Sequence, residues 1–277
     1  MNYTNLHGLP QALVDAVMND SYVGGGDISV TRLIDTPQRR VLERKHKNVI
    51  VEDVIERMFS MWGQVAHGIL ERSDKEAIVE ERLYMEVGGW KLSGQLDRLL
   101  TANESIEDWK TLSVFKKDST AWEQQLNIYR LLAHKNGYKV NHLKVNAIYR
   151  DWRRFEAKRG GDYPPIPFAV IDIPVWTIEE TEEYVATRVA MHQAADRGEV
   201  TPCTDEERWA TPTTYALMKE GGKRATKVAP TKEELGDPAK GFFIEERLGG
   251  YRRCEEFCSV APFCKQFNSE RQLEKQQ

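Results

Sequence analysis

The sequence predicts an α/β protein in which helices flank a mixed β-sheet, and three observations predict it. Apolar residues recur at three- and four-residue spacing from Val54 to Leu70, the pattern of a helix with one buried face. Two strand-like runs, Ile78 to Val87 and Trp90 to Leu100, are joined by the tight turn Gly88-Gly89 and read as a hairpin. Thr120 with Glu123, and Thr177 with Glu180, have the spacing of capping boxes that open two further helices. Strands interleaved with helices point to one layered α/β core.

Taken in order, Ser29 and Thr31 open a short helical stretch, and Thr36-Pro37 pairs an N-cap with proline at the first helical position. After the helix and hairpin, the polar turn Thr101 to Glu104 leads into a third strand, Ser105 to Lys110. The helix from Thr120 buries Trp122, Leu126, Tyr129, Leu132 and Ala133. Val140 to Arg154 reads as a strand, and Pro164 to Pro167 separates it from another, Phe168 to Val175. The helix opened by Thr177 runs to about Gly198. Beyond it, Thr201 to Gln277 reads as irregular, with a hairpin around Glu220 to Val228 and a polar tail from Asn268 that frays. The division this suggests is one domain, 1–277, with a core over 29–175 and a helix plus a cysteine-bearing segment over 176–277.

Composition narrows the function classes. A chain of 277 residues, 40% hydrophobic and 30% charged, can bury a core without disulfides. No run of about 18 apolar residues occurs, so no membrane span is expected. Met1 to Asp20 lacks the basic start and apolar block of a secretory leader, so a cytoplasmic setting is expected. The net charge of −4 argues against a protein that coats duplex DNA, which would be basic. Local basic strips remain at Arg39–Lys47, Arg150–Arg159 and Lys219–Lys227, each either a solvated face or a phosphate track.

The residues that carry chemistry are Gly94-Gln95-Leu96-Asp97 and, eleven positions on, Asp108-Trp109-Lys110. Side chains at i and i+2 of a strand share a face, so Asp108 and Lys110 point together while Trp109 turns into the core. Asp97, on the neighbouring strand, reaches the same place if the polar turn closes a hairpin. Two carboxylates so placed suit a hard divalent cation such as Mg2+ or Mn2+. A lysine beside them can orient or help deprotonate an attacking water. Phosphodiester cleavage demands the upper part of the roughly 8–23 kcal/mol that enzymes supply, and a metal contributes several kcal/mol where one lysine cannot.

In the order His67, G-x-x-D ending at Asp97, Asp108-x-Lys110, then Gln125-x-x-x-Tyr129, the chain resembles the RecB/Cas4-like branch of the PD-(D/E)XK nucleases, which includes phage exonucleases. The resemblance covers about Ser29 to Arg154 and implies a restriction-endonuclease-like core of order αβββαβ. It implies a metal-dependent deoxyribonuclease, an exonuclease of DNA recombination, repair or processing, in which His67, Asp97, Asp108 and the Trp109 carbonyl hold Mg2+ or Mn2+. Lys110 would act on the water and phosphate, and Gln125 and Tyr129 would position the lysine or DNA. DNA is then the partner, single-stranded or an end-containing duplex, beside a homo-oligomer or a recombination or adaptation protein. The alternative is a catalytically inactive DNA-binding or assembly subunit of a Cas4-like complex.

Cys203, Cys254, Cys258 and Cys264 are the only cysteines, the last three within eleven residues and interleaved with Phe257 and Phe263. In a cytoplasmic chain such thiols read as metal or cluster ligands before disulfides. Zinc and uncommitted thiols stay open, although zinc sites usually show two close cysteine pairs. The resemblance implies a 4Fe–4S cluster held by four thiolates. This chain departs from the branch where Thr36-Pro37 stands in place of a cysteine-proline pair, which leaves Cys203 as the fourth ligand. Between the cysteines, Glu207-Arg208-Trp209 and Lys223-Arg224-Ala225 resemble a stretch of phage-encoded members, whose basic hairpin would guide DNA or brace the cluster.

Overall fold

The computed structural model describes residues 2–18, 24–116 and 119–274. They gather into two compact units, Met1–Val41 with Lys47–Thr201, and Leu42–His46 with Pro202–Gln277.

The first unit opens with β1 (Asn2–Thr4), α1 (Gln11–Met18), β2 (Ile28–Ser29), α2 (Val30–Ile34) and α3 (Pro37–His46), the last four residues and Leu42 of which belong to the second unit. There follow β3 (Val51–Asp53), α4 (Met58–Ser73) after a single 3-10 turn, β4 (Ile78–Val87), β5 (Trp90–Leu100), β6 (Ser105–Leu112) and α5 (Thr120–Lys135). β7 (His142–Tyr149), α6 (Arg154–Arg159), β8 (Phe168–Asp172) and α7 (Ile178–Asp196) complete it. The sheet runs β2-β5-β6-β7-β8, with β4 on the other side of β5. It is mixed: β5 is antiparallel to β4 and β6, while β6 and β7 are parallel. The predicted αβββαβ order is therefore α4, β4, β5, β6, α5, β7, and the restriction-endonuclease-like fold class is what forms.

α5 supplies the centre of the core. Leu126, Ile128, Leu131, Leu132 and Ala133 are at most 1% exposed and pack with Leu92, Leu96, Leu99, Ile106 and Val145 of the sheet. Each of the leucine, isoleucine and valine side chains contributes roughly 1.5–3 kcal/mol by leaving water. Gly94 of the G-x-x-D motif lets this helix close on β5: a Cβ there would lie 2.6 Å from Leu132 and 2.8 Å from Tyr129. α7 then clamps the short α2. The buried Arg188 donates to the carbonyls of Leu33, Ile34 and Asp35, capping its C-terminus. His192 works beside it, taking a hydrogen bond from Arg40 at Nδ1 (3.0 Å) and giving one from Nε2 to the Leu33 carbonyl (3.1 Å). Burial first, with the Arg40 and Arg188 charges, holds its pKa down at about 4, so this histidine is neutral.

Several expectations change. Thr120 is the first helical residue, and the N-cap is Ser119, which makes no side-chain cap hydrogen bond; the Thr177–Glu180 capping box forms in full. β7 stops at Tyr149 because the chain turns at Asp151, whose carboxylate accepts from Ser113 and Val114, and the short helix α6 follows. Trp109 is half-buried against Phe168 rather than in the deep core. The largest departure is α4, in which no residue is fully buried. Phe59, Trp62, Val65 and Ile69, the stripe expected to face the core, are 49–62% exposed. The helix approaches the sheet on another line, where Gly63 stands over Thr111 of β6.

The second unit is more ordered than its composition suggested. β9 (Ala210–Thr211) pairs with β13 (Gly250–Tyr251), and β10 (Thr214–Lys219), β11 (Ala225–Ala229) and β12 (Phe242–Arg247) form a three-stranded antiparallel sheet that contains the expected hairpin. The tail is helical as α8 (Lys265–Glu274) instead of frayed, anchored by buried Phe267; Lys275 to Gln277 lie outside the described residues. Among the described residues no helix is long and apolar enough to cross a membrane.

Candidate active site

The antiparallel ladder between β5 and β6 ends at Arg98↔Glu107, one residue short of Asp97 and Asp108. Beyond that point the backbone groups need other partners. The Asp97 carboxylate takes the Trp109 amide at 2.8 Å. On the far side of β5 the register also breaks opposite Asp97, between Val79↔Arg98 and Glu81↔Leu96. The residue in the gap, Glu80, has φ of 52°, a left-handed conformation that costs a non-glycine residue about 1–3 kcal/mol and gathers at functional sites. These interruptions place three carboxylates around one cavity of about 820 Å³, closed on one side by α4 through Gly63, Gln64 and His67.

His67 Nε2 lies 3.0 Å from the Trp109 carbonyl. A carbonyl can only accept, so Nε2 carries the proton, and in the neutral ring Nδ1 presents a lone pair. That nitrogen is 3.5 Å from Asp97 Oδ2 and 4.0 Å from Glu80 Oε1. Among the described residues, His67, Glu80 and Asp97 are the group whose ligand atoms all lie within 4.8 Å of one another. Three electron-pair donors thus face a common point. Burial, and after it the neighbouring Asp108 charge, push the Asp97 pKa up to about 7 despite His67 and Lys110. Burial likewise raises Glu80, which accepts from Gln95 at 2.7 Å.

Asp108 is 2% exposed. Its Oδ1 accepts from Gln125 at 3.4 Å, and Lys110 Nζ stands 2.6 Å from Oδ2. Oδ2 is thus a buried oxygen whose close partner is the Lys110 ammonium. Lys110 loses to burial, but Asp108 and Asp97 outweigh that loss and raise its pKa, so it is an ammonium at neutral pH. Gln125 also donates to the Tyr129 hydroxyl at 3.0 Å.

All seven residues singled out in the first unit therefore meet here, but in two groups. His67 and Asp97 stand with Glu80, which the sequence reading missed. Asp108 stands with Lys110, Gln125 and Tyr129. The Trp109 carbonyl is occupied by His67. The signal for Glu80 was its place on the strand hairpinned to the Asp97 strand, yet only the register shows that it faces Asp97.

The second unit carries the four cysteines and gathers three of them. Cys254, Cys258 and Cys264 share one apolar cluster with Leu42, Ala261 and Phe267. Cys203 is tied to the residue after the Cys264–Lys265 step twice: its amide donates to Gln266 Oε1 and its carbonyl accepts from Gln266 Nε2, both at 2.9 Å. No disulfide joins the four. Burial raises the Cys254 thiol, opposed by a hydrogen bond from Arg208. Arg208 is itself 4% exposed and stacks over Tyr251 at 3.2 Å.

The chain is similar to known proteins in two comparisons. A family model described as the PD-(D/E)XK nuclease superfamily matches residues 12–265. Among solved structures, the fold is similar to that of SSO0001, at 18% identity and a TM-score of 0.51, over 71% of this chain and 89% of that one. A phage-related exonuclease of Haemophilus somnus aligns at 11% identity over 68% of this chain and 82% of its own, with a TM-score of 0.31, too low to carry any argument. Curated protein sequences yield no significant match.

Proposed function

Because the chain belongs to the PD-(D/E)XK nuclease superfamily, we propose that it is a metal-dependent deoxyribonuclease, an exonuclease acting in DNA recombination, repair or processing. The observation that supports this most is the convergence of His67 Nδ1, Glu80 and Asp97 within 4.8 Å, beside the Asp108–Lys110 pair. A histidine nitrogen and two carboxylates converging on one point suit a divalent cation, and nucleases of this superfamily generally use ions such as Mg2+ or Mn2+. His67, Glu80 and Asp97 would hold the ion, next to Asp108, whose Oδ2 is paired with the Lys110 ammonium at 2.6 Å. When bound, the ion supplies positive charge to the phosphate oxygens and acidifies water.

The chain's own groups do the rest. Trp109 anchors both flanks, its carbonyl orienting His67 and its amide holding Asp97. Lys110, charged through its pairing with Asp108, offers a cation and proton donor to the scissile phosphate rather than a base. Gln125, braced by Tyr129, fixes Asp108.

In the second unit we assign Cys203, Cys254, Cys258 and Cys264 to a 4Fe–4S cluster, as in the RecB/Cas4-like branch. Three of the four, Cys254, Cys258 and Cys264, share one apolar cluster, and a buried guanidinium donates to Cys254, surroundings that suit an anionic iron–sulfur group. Such a cluster would staple this segment together.

The test uses protein purified without oxygen. End-labelled linear DNA and covalently closed circles are incubated with Mg2+, Mn2+ or EDTA, and iron, zinc and visible absorbance are measured on the same sample. Metal-dependent loss of linear DNA with intact circles is expected. Cut circles would make it an endonuclease, and folded protein that leaves both intact would overturn the enzymatic reading in favour of a DNA-binding subunit.

A further inference from the structure

The exposed side of α4 and the basic strip of residues 150–159 are left unused by the site above. We propose that together they form a stacking track for unpaired nucleotides of the DNA strand that enters the cavity. This rests on the nuclease reading and adds the surface that holds the substrate outside the reacting phosphate.

Phe59 lies one helical turn before Gly63, which lines the cavity and stands over Thr111, the residue after Lys110. It therefore lies one turn from the part of α4 that lines the cavity. The Arg150 guanidinium lies 4.4 Å from its ring centroid. Trp62, on the next turn of the same side, is 59% exposed beside Phe59 at 62%. Large rings left in water on an ordered helix mark a binding surface.

Charge decides the occupant. From Arg150 to Arg159 the chain carries Arg150, Arg153, Arg154, Lys158 and Arg159 against Asp151 and Glu156, and all five cations are exposed. Asp151 is engaged by Ser113 and Val114, and Glu156 pairs with Arg159. Phe155, 71% exposed with Arg159 over its ring at 5.9 Å, repeats the ring-and-guanidinium pairing seen at Phe59. A protein partner matched to an apolar stripe alone would not call for this cationic run. Rings alternating with guanidinium groups suit bases that stack and phosphates that pair. A duplex keeps its bases stacked on each other, so the rings select unpaired strand.

The experiment measures binding of fluorescein-labelled oligothymidine by anisotropy, in EDTA to prevent cleavage, with a hairpin duplex as comparison. Phe59→Ala and Trp62→Ala should each weaken single-strand binding by roughly five- to one-hundred-fold, leave duplex binding nearly unchanged, and melt at the wild-type temperature. Trp62→Phe should bind close to wild type, and Arg150→Gln should make the affinity less salt-dependent. Unchanged single-strand affinity in the folded alanine variants overturns the track. So does a wild-type dimer that Trp62→Ala turns into a monomer with unaltered affinity, which would make the stripe a contact between copies. Cleavage by wild type with Mn2+ is read in parallel: if it persists while these variants bind normally, only the track fails. If wild type neither binds nor cuts DNA, the nuclease reading fails too.

Discussion

The most direct probe of the cation site is Asp97→Asn in metal-free protein. Asp97 has a folded-state pKa of about 7 against 3.8 in the free side chain, chiefly from burial and then from Asp108. The folded protein therefore keeps a proton on this carboxyl between about pH 4 and 7 that the unfolded chain has already released. Its contribution is complete below the unfolded value and is lost as pH rises through about 7. About three pH units at 1.36 kcal/mol each give a loss on the order of 4 kcal/mol. The side chain is 14% exposed, so solvent screening reduces this only modestly. For a unit of this size that corresponds to a Tm lower by on the order of 10 °C. Asparagine keeps the acceptor for the Trp109 amide and cannot ionise. In EDTA the two proteins should melt alike below about pH 4 and diverge progressively from there to pH 7, with the variant the more stable. Saturating Mn2+ should stabilise wild type at pH 8 and do little for Asp97→Asn. Parallel melting profiles from pH 5 to 8 would refute the argument that Asp97 is a carboxylate short of a counter-charge.

Lys110→Ala should stop cleavage of end-labelled DNA and, by leaving Asp108 buried alone, cost on the order of 3 kcal/mol in urea unfolding; a wild-type rate would remove Lys110 from the mechanism. Glu80→Gln should raise the Mn2+ concentration needed for activity and for thermal stabilisation, because one of three converging ligands is weakened. Gly94→Ala should destabilise by about 1–3 kcal/mol, since its methyl group would collide with Leu132 and Tyr129, and an unaltered denaturation midpoint would show that α5 can retreat freely. Cys254→Ala should lose the iron and visible absorbance of protein prepared without oxygen; zinc in wild type instead would replace the cluster assignment.

What the sequence by itself determined is what local periodicity and order encode. The αβββαβ succession follows from spacing that is read within a few residues: the α5 stripe Trp122–Leu126–Tyr129, the Gly88-Gly89 turn, the Thr177–Glu180 box. His67, Asp97, Asp108 and Lys110 could be singled out through the family resemblance, whose motifs follow one another along the chain in the order of the elements that carry them. The tertiary structure decided what depends on register and on which faces find partners. Glu80 faces Asp97 only because pairing lapses there and its backbone turns left-handed, which no residue pattern announces. The apolar stripe of α4 was read as buried because periodicity reports that a face is apolar, not what covers it; here α4 meets the sheet at Gly63 and leaves Phe59 and Trp62 in water. Likewise α8 runs on past Asn268, where composition suggested fraying, and Phe267 in its first turn is buried with Cys264. Contacts between distant residues carry the free energy of these arrangements, and they exist only once the chain has folded.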